Sequence, residues 1–144
     1  MICYFDTSAL VKLFNTESGS EKVKELIDNP ENEVWVLELA LVELLSAVFR
    51  KYRNMEVKEE DLEKIQIAIE NQFMLFNIVP MAGDIIKETQ QMIIRFGKDY
   101  GLRTLDAMHI AGWTLIAEPS WFFVSSDKNQ LNVLNLMKFN TIAV

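Results

Sequence analysis

The sequence predicts an α/β fold in which a parallel sheet is covered by helices on both faces, and three observations carry that reading. Short apolar-rich runs recur at Ile2–Phe5, Val34–Leu37, Leu75–Val79, Trp121–Val124 and Phe139–Ala143, with the lengths of strands. Stretches of helical length separate them, and strands alternating with helices are the pattern of a parallel sheet buried on both sides. Half of the 144 residues are apolar, ample for one continuous core, so a single domain over residues 1–144 is expected.

Each element has a local cause. Ile2–Phe5 stops at Asp6-Thr7-Ser8, a strand running into a capped helix that fits as far as about Asn15. Gly19 and Ser20 open a second helix, which Asp28-Asn29-Pro30 ends because proline cannot continue it. After the strand Val34–Leu37, residues Glu38 to Arg53 are apolar nearly all round and predict a helix buried over most of its surface. A more polar amphipathic helix follows from Val57 to Phe73, then the strand before Pro80, then a helix from Ala82 to Phe96 closed by Gly97. Thr104 begins another, ended by Glu118-Pro119. The β-prone run Trp121–Val124 stops at Ser125-Ser126-Asp127, a short helix spans Gln130 to Met137, and Phe139–Ala143 is the last strand. No repeat, low-complexity segment or linker interrupts the chain.

Composition excludes several function classes. A net charge of −7 and a pI near 4.7 leave no broad cationic surface for coating duplex DNA, so any nucleic-acid contact must be local. The lone Cys3, in an apolar run, makes no intrachain disulfide and reads as a buried thiol. One histidine and one cysteine exclude a His/Cys zinc site within the chain, so a bound metal would need carboxylate oxygens, the ligands of magnesium and manganese. The first residues carry no basic leader, and no apolar run approaches the ~18 residues of a membrane span. A cytoplasmic protein is expected.

Four carboxylates stand out. Asp6 and Asp127 lie at or just after the carboxyl ends of strands, where ligand crevices form in open parallel sheets. Each also reads simply as a helix N-cap. Asp106 sits in the first turn of its helix, two residues after Thr104, where the helix dipole alone favours an acid. Glu43 is harder to account for, because a carboxylate in a nearly all-apolar helix needs a partner, a metal or a polar pocket. A salt bridge to Arg50 is the plain alternative.

Motif spacing adds what single residues lack. Tyr4-Phe5-Asp6-Thr7-Ser8-Ala9-Leu10-Val11-Lys12-Leu13 resembles the opening of PIN domains, especially VapC, the toxin component of toxin-antitoxin modules. Leu41-Val42-Glu43-Leu44-Leu45-Ser46-Ala47 resembles the second acidic motif of that family. Leu102-Arg103-Thr104-Leu105-Asp106-Ala107-Met108-His109-Ile110-Ala111 is similar to the third, and Phe123-Val124-Ser125-Ser126-Asp127 to the fourth. The order and separations are family-like and span nearly the whole chain.

The resemblance implies a three-layer α/β/α PIN-like fold, a carboxylate cluster binding Mg2+ with Mn2+ able to substitute, and cleavage of single-stranded RNA. Asp6, Asp106 and Asp127 would be metal ligands, and Glu43 a ligand or the group that deprotonates the attacking water. Ser8 and Ser125 match small hydroxyl positions that often support the site. A cognate antitoxin and a homodimer are implied as partners, the antitoxin reaching the acidic pocket with an arginine or lysine. Two departures stand out: no glycine precedes the last strand, where Lys138 or Phe139 falls, and Gly112-Trp113 puts a bulky residue where small ones are common.

Physical chemistry supports a metal independently, since four converging carboxylates repel one another and raise their own pKa values unless a cation compensates them. Arg50 and Arg103 are the candidate RNA phosphate contacts, ahead of Lys12, Lys51 and Arg53, for which solvated surface charge is the plain reading. His109, one turn after Asp106, and the three tryptophans Trp35, Trp113 and Trp121 read first as packing or hydrogen-bonding residues. A haloacid-dehalogenase-type phosphatase needs a second aspartate where Ser8 stands, and a receiver domain needs an acidic pair and a lysine that are not recognisable. The remaining alternative is a catalytically silent PIN-like binding or assembly module.

Overall fold

The computed structural model describes residues 1–144, and its centre is a five-stranded, wholly parallel sheet in the order β3-β2-β1-β4-β5. The elements run β1 (Ile2–Phe5), α1 (Thr7–Phe14), α2 (Ser20–Asp28), β2 (Glu33–Leu37), α3 (Leu39–Arg53) and α4 (Glu59–Phe73). They continue as β3 (Asn77–Val79), α5 (Gly83–Tyr100), α6 (Thr104–Thr114), β4 (Phe122–Ser125), α7 (Lys128–Leu136) and β5 (Thr141–Ala143).

Side chains alternate across each strand and feed two separate cores. Tyr4, Leu37 and Phe123 point into one, with Ile85, Met92 and Phe96 of α5, Ile110 and Trp113 of α6, and Val133 and Leu134 of α7. Cys3, Phe5, Val34, Val36 and Val124 point into the other, with Leu10 of α1, Val23 of α2, Leu44 and Val48 of α3, and Ile69 and Phe73 of α4. A sheet with helices on both faces is the three-layer α/β/α arrangement expected. No helix is long and apolar enough to cross a membrane.

The chain leaves β1 toward β2 on one side and returns through α6 to place β4 on the other. Between β1 and β4 the winding direction changes, which in such sheets opens a crevice beyond the carboxyl ends of the strands. Register fixes what lines it: Phe5 pairs with Val124, and the Asp6 N–H donates to the Val124 carbonyl at 3.2 Å, so Asp6 and Ser125 emerge side by side.

Several boundaries differ from the sequence reading. Gly97 does not close α5, which runs on to Tyr100. The stop is Gly101, whose φ of 62° is the left-handed conformation a helix C-terminus uses. The α6 helix ends at Thr114, short of Ala117. The α4 helix starts at Glu59, and β3 at Asn77, because Met74 and Leu75 are apolar yet exposed. The α3 helix buries Ala40, Leu44 and Val48 but exposes Val42, Phe49 and Tyr52, so its apolar circumference is not a buried circumference. Before β5 the position that lacks glycine is filled by Lys138 with φ of 64°, a left-handed residue that costs about 1 kcal/mol relative to glycine. Trp113 is wholly buried against Tyr4, Phe123 and Phe139, while Gly112 lets α6 approach the sheet. A Cβ there would lie 2.8 Å from the Tyr4 hydroxyl and 2.9 Å from Leu37.

Candidate active site

Asp6 ends β1 and caps α1: its Oδ1 accepts from the Ala9 N–H at 2.9 Å, as an N-cap aspartate does. It is 1% exposed. The Ser8 hydroxyl lies 2.9 Å and 2.8 Å from its two oxygens, and the Ser125 hydroxyl donates to Oδ2 at 2.9 Å. Burial raises its carboxyl above the ordinary value, and the charge of His109 and these hydrogen bonds only partly oppose that. The two serines therefore support Asp6 directly.

Glu43, on the inward side of α3, meets no Arg50. Its Oε2 lies 2.6 Å from Nε2 of His109 and accepts from the Thr7 hydroxyl. Burial raises its carboxyl, yet the hydrogen bond and charge of His109, with Thr7, outweigh burial and hold it below the ordinary glutamate value. His109 is 2% exposed, on the face of α6 that also carries Asp106.

Asp106 and Asp127 form a second pair, held by a solvent-exposed cation. Asp127 caps α7, its Oδ1 accepting from the N–H groups of Asn129 and Gln130 at 2.8 Å and 2.9 Å. Asp106 Oδ1 accepts from the Gln130 side chain at 3.2 Å. Both remaining Oδ2 atoms face one cation: Arg103 donates through Nε to Asp106 at 2.9 Å and through Nη2 to Asp127 at 3.4 Å. The Arg103 side chain is 72% exposed, and its carboxylate partners raise its already high pKa, led by the hydrogen bond to Asp106. Ser125 links the pairs, its hydroxyl also accepting from the Asp127 N–H at 2.9 Å.

Beside Glu43 a cleft of about 330 Å³ opens between α1 and α3, with Thr7, Ser8, Ser46, Arg50 and Leu105 in its walls. Arg50 forms no ion pair and faces this cleft, whereas Lys12 is buried on the Ser18 carbonyl and Lys51 pairs with Glu56. Trp35 stacks near Trp121 and Trp113 lies in the core, which leaves these rings as packing groups. Sequence reasoning left out Thr7 and Gln130. The signal for Thr7 was a hydroxyl inside the first motif, and for Gln130 an amide three residues past Asp127.

The donor set is all oxygen, the chemistry of a hard divalent cation. No three acidic, histidine or cysteine side chains stand close enough here to share one ion, and the guanidinium of Arg103 occupies the cationic place between Asp106 and Asp127. The oxygen chemistry suits such an ion, but as placed here the four carboxylates do not form a ready ligand set, and Arg103 is the cation that Asp106 and Asp127 share.

A family model described as PIN domain matches residues 3–132. The chain belongs to the PIN domain family. This PIN domain is similar to the ribonucleases VapC45 and VapC49 of two Mycobacterium tuberculosis strains, each 27% identical over 118 residues, or 82% of this chain and 78% of the relative. Its fold is similar to FitAcB of Neisseria gonorrhoeae, with a TM-score of 0.71 and 17% identity over 99% of this chain and 96% of that one. It is also similar to VapC20 of Mycobacterium tuberculosis, described as a toxin cleaving the sarcin-ricin loop, with a TM-score of 0.69 and 13% identity over 91% and 94%. A third likeness is to VapBC2 of Rickettsia felis bound to promoter DNA, at a TM-score of 0.67 and 12% identity over 100% and 99%.

Proposed function

We propose that the protein is an endoribonuclease that hydrolyses RNA phosphodiester bonds with Mg2+ or Mn2+, and that it is the toxin of a type II toxin-antitoxin pair. The observation that carries the reading is Asp6, an acid buried at the carboxyl edge of the sheet, joined through Ser125 to the Asp127 backbone and followed directly by Thr7, whose hydroxyl holds Glu43. Isolated burial of a carboxylate is costly, and a site of this construction has a use for the charge.

Asp6, Asp106 and Asp127 would hold the ion, with Glu43 beside them as a further ligand or as the base that receives the proton of the attacking water. When bound, the ion supplies an activated water and stabilises charge on the phosphoryl oxygens. Ser8 and Ser125 keep the Asp6 oxygens fixed. Arg103, once released from Asp106 and Asp127, has the reach and charge to bind a phosphate, and Arg50 faces a neighbouring phosphate from the cleft wall. The local cationic contacts suit a single strand and not a coated duplex.

An antitoxin carrying arginine or lysine is the proposed partner, because a cationic side chain already satisfies the rim carboxylates in this structure. The protein would act in the cytoplasm as a homodimer, a state that light scattering of a monomer at micromolar concentration would remove. The deciding assay is cleavage of single-stranded RNA with Mg2+ or Mn2+ against an EDTA control. Activity that persists in EDTA, or in both Asp6→Asn and Asp106→Asn, sinks the mechanism.

A further inference from the structure

Glu43 is held by only one of its two oxygens. Both protein contacts, from His109 Nε2 at 2.6 Å and from the Thr7 hydroxyl, fall on Oε2, while Oε1 accepts no hydrogen bond from the protein. The Thr7 hydroxyl also lies 3.1 Å from His109 Nε2, so the three groups form one closed triangle. The other imidazole nitrogen, Nδ1, is buried and meets no hydrogen-bonding group of the protein.

That asymmetry sets the tautomer. A neutral ring protonated on Nδ1 would leave a buried N–H unmet and turn the Nε2 lone pair toward a carboxylate oxygen at 2.6 Å. Protonation on Nε2 leaves no donor unmet. We propose that His109, as its Nε2–H tautomer, is a positioning residue that clamps Oε2 of Glu43 together with Thr7 and so leaves Oε1 as the working oxygen of the cleft.

The consequence is functional, and it rests on the nuclease reading above. A free glutamate side chain rotates and offers either oxygen. Here the carboxylate is turned by partners on α1 and α6, so the oxygen that takes a proton or joins a cation is chosen before substrate arrives. Groups that orient a ligand in this way typically contribute about 10- to 100-fold.

The chain contains a single histidine, so its imidazole can be observed without assignment. Nitrogen NMR of protein labelled at histidine, at about pH 8 and above the usual histidine range, reads the tautomer directly. The expected signal is Nε2–H, shifted in Glu43→Gln. A ring protonated on Nδ1, or averaging between tautomers, overturns the clamp whatever the protein cleaves.

Kinetics then test its purpose. Glutamine places its amide where Nε2 stands, and asparagine reaches only the place of Nδ1. His109→Gln should keep kcat within a few-fold of wild type, whereas His109→Asn should lose about 10- to 100-fold in kcat with KM little changed. Thr7→Ser should keep activity and Thr7→Val should lose it, which tests the same clamp if a His109 variant fails to fold. Equal kcat for the glutamine and asparagine variants, or wild-type kcat in Thr7→Val, overturns the proposal. The Nε2–H tautomer in wild-type protein that cleaves no RNA under either metal would support the clamp geometry and remove the nuclease reading instead.

Discussion

Two carboxylates are neutralised from inside the protein and two from its edge. Asp6 and Glu43 lean on hydroxyls, a backbone N–H and an imidazole from three elements, α1, β4 and α6, while Asp106 and Asp127 share one exposed arginine. The inner pair is held by groups that the packing of the sheet and helices brings together. The rim pair is exchangeable, since its cation is a side chain that solvent already surrounds. On the proposed reading, the inner half would orient and the rim would be where a metal ion enters.

The inner pair is itself divided, and substitution should expose the division. Asp6→Asn should lower RNA cleavage by about 10²- to 10³-fold, the scale of removing one preorganised electrostatic group. Its metal-free form should nevertheless melt higher than wild type at neutral pH. The folded Asp6 carboxyl is raised, so its ionisation opposes folding above that value, and the opposition disappears as pH falls below the carboxyl range of the unfolded chain. The serine hydroxyls can rotate to accept from the new amide. Thermal melts in EDTA across pH check the sign, and a lower melting point at neutral pH breaks the account of Asp6.

Glu43→Gln should cost about 10²-fold in activity, with the opposite effect on stability. The folded Glu43 carboxyl is lowered, so it contributes stability above its unfolded value and loses it as pH falls through the folded one. The metal-free variant should melt below wild type at neutral pH and converge with it in acid. If Glu43→Gln melts at or above wild type at neutral pH, His109 and Thr7 do not hold Glu43 as described.

At the rim the effects should be smaller. Arg103→Gln should tighten Mn2+ binding about two- to five-fold, because an internal competitor of the strength of an exposed ion pair is removed, and should raise KM for RNA. Arg50→Gln, which removes the same charge from the cleft wall, is the control in calorimetric titration. Equal tightening in both would reduce the Arg103 effect to general electrostatics. Among the carboxylate substitutions Asp127→Asn should do least, near tenfold or below in the RNA cleavage assay, since asparagine also caps helices and α7 should keep its start within about 0.5 kcal/mol in denaturant melts.

How far the sequence revealed this division follows from the range of each interaction. The strands β1, β2 and β4 were legible because a buried parallel strand is a continuous apolar run with a polar stop, and Asp6 and Asp127 were legible as those stops. Asp106 and its neighbour Arg103 fall within one helical turn, a local pattern. The partner of Glu43 was not legible, because His109 lies 66 residues away and only packing of α3 against the α6 end brings them together. Nearby Arg50 was the reasonable local guess, but it faces the cleft. Helix ends failed for the same reason: Gly97 has no left-handed role in α5, while Gly101 does, and local composition alone does not separate them. The exposed apolar stripe of α3 shows the limit of hydrophobicity itself, which marks what is able to be buried and not what is.

The hydrogen bond from Ser125 to Asp6 joins residues 119 positions apart, across the strand pair of greatest sequence separation, β1 and β4. On the ribosome, Asp6 emerges 119 residues before the serine that holds it. Until β4 has been made and has docked beside β1, the nascent chain lacks Ser125, Asp127 and the closed crevice, and long-range pairings of this kind form late in folding. On the proposed reading, a half-made copy would lack the assembled site and would not cut RNA.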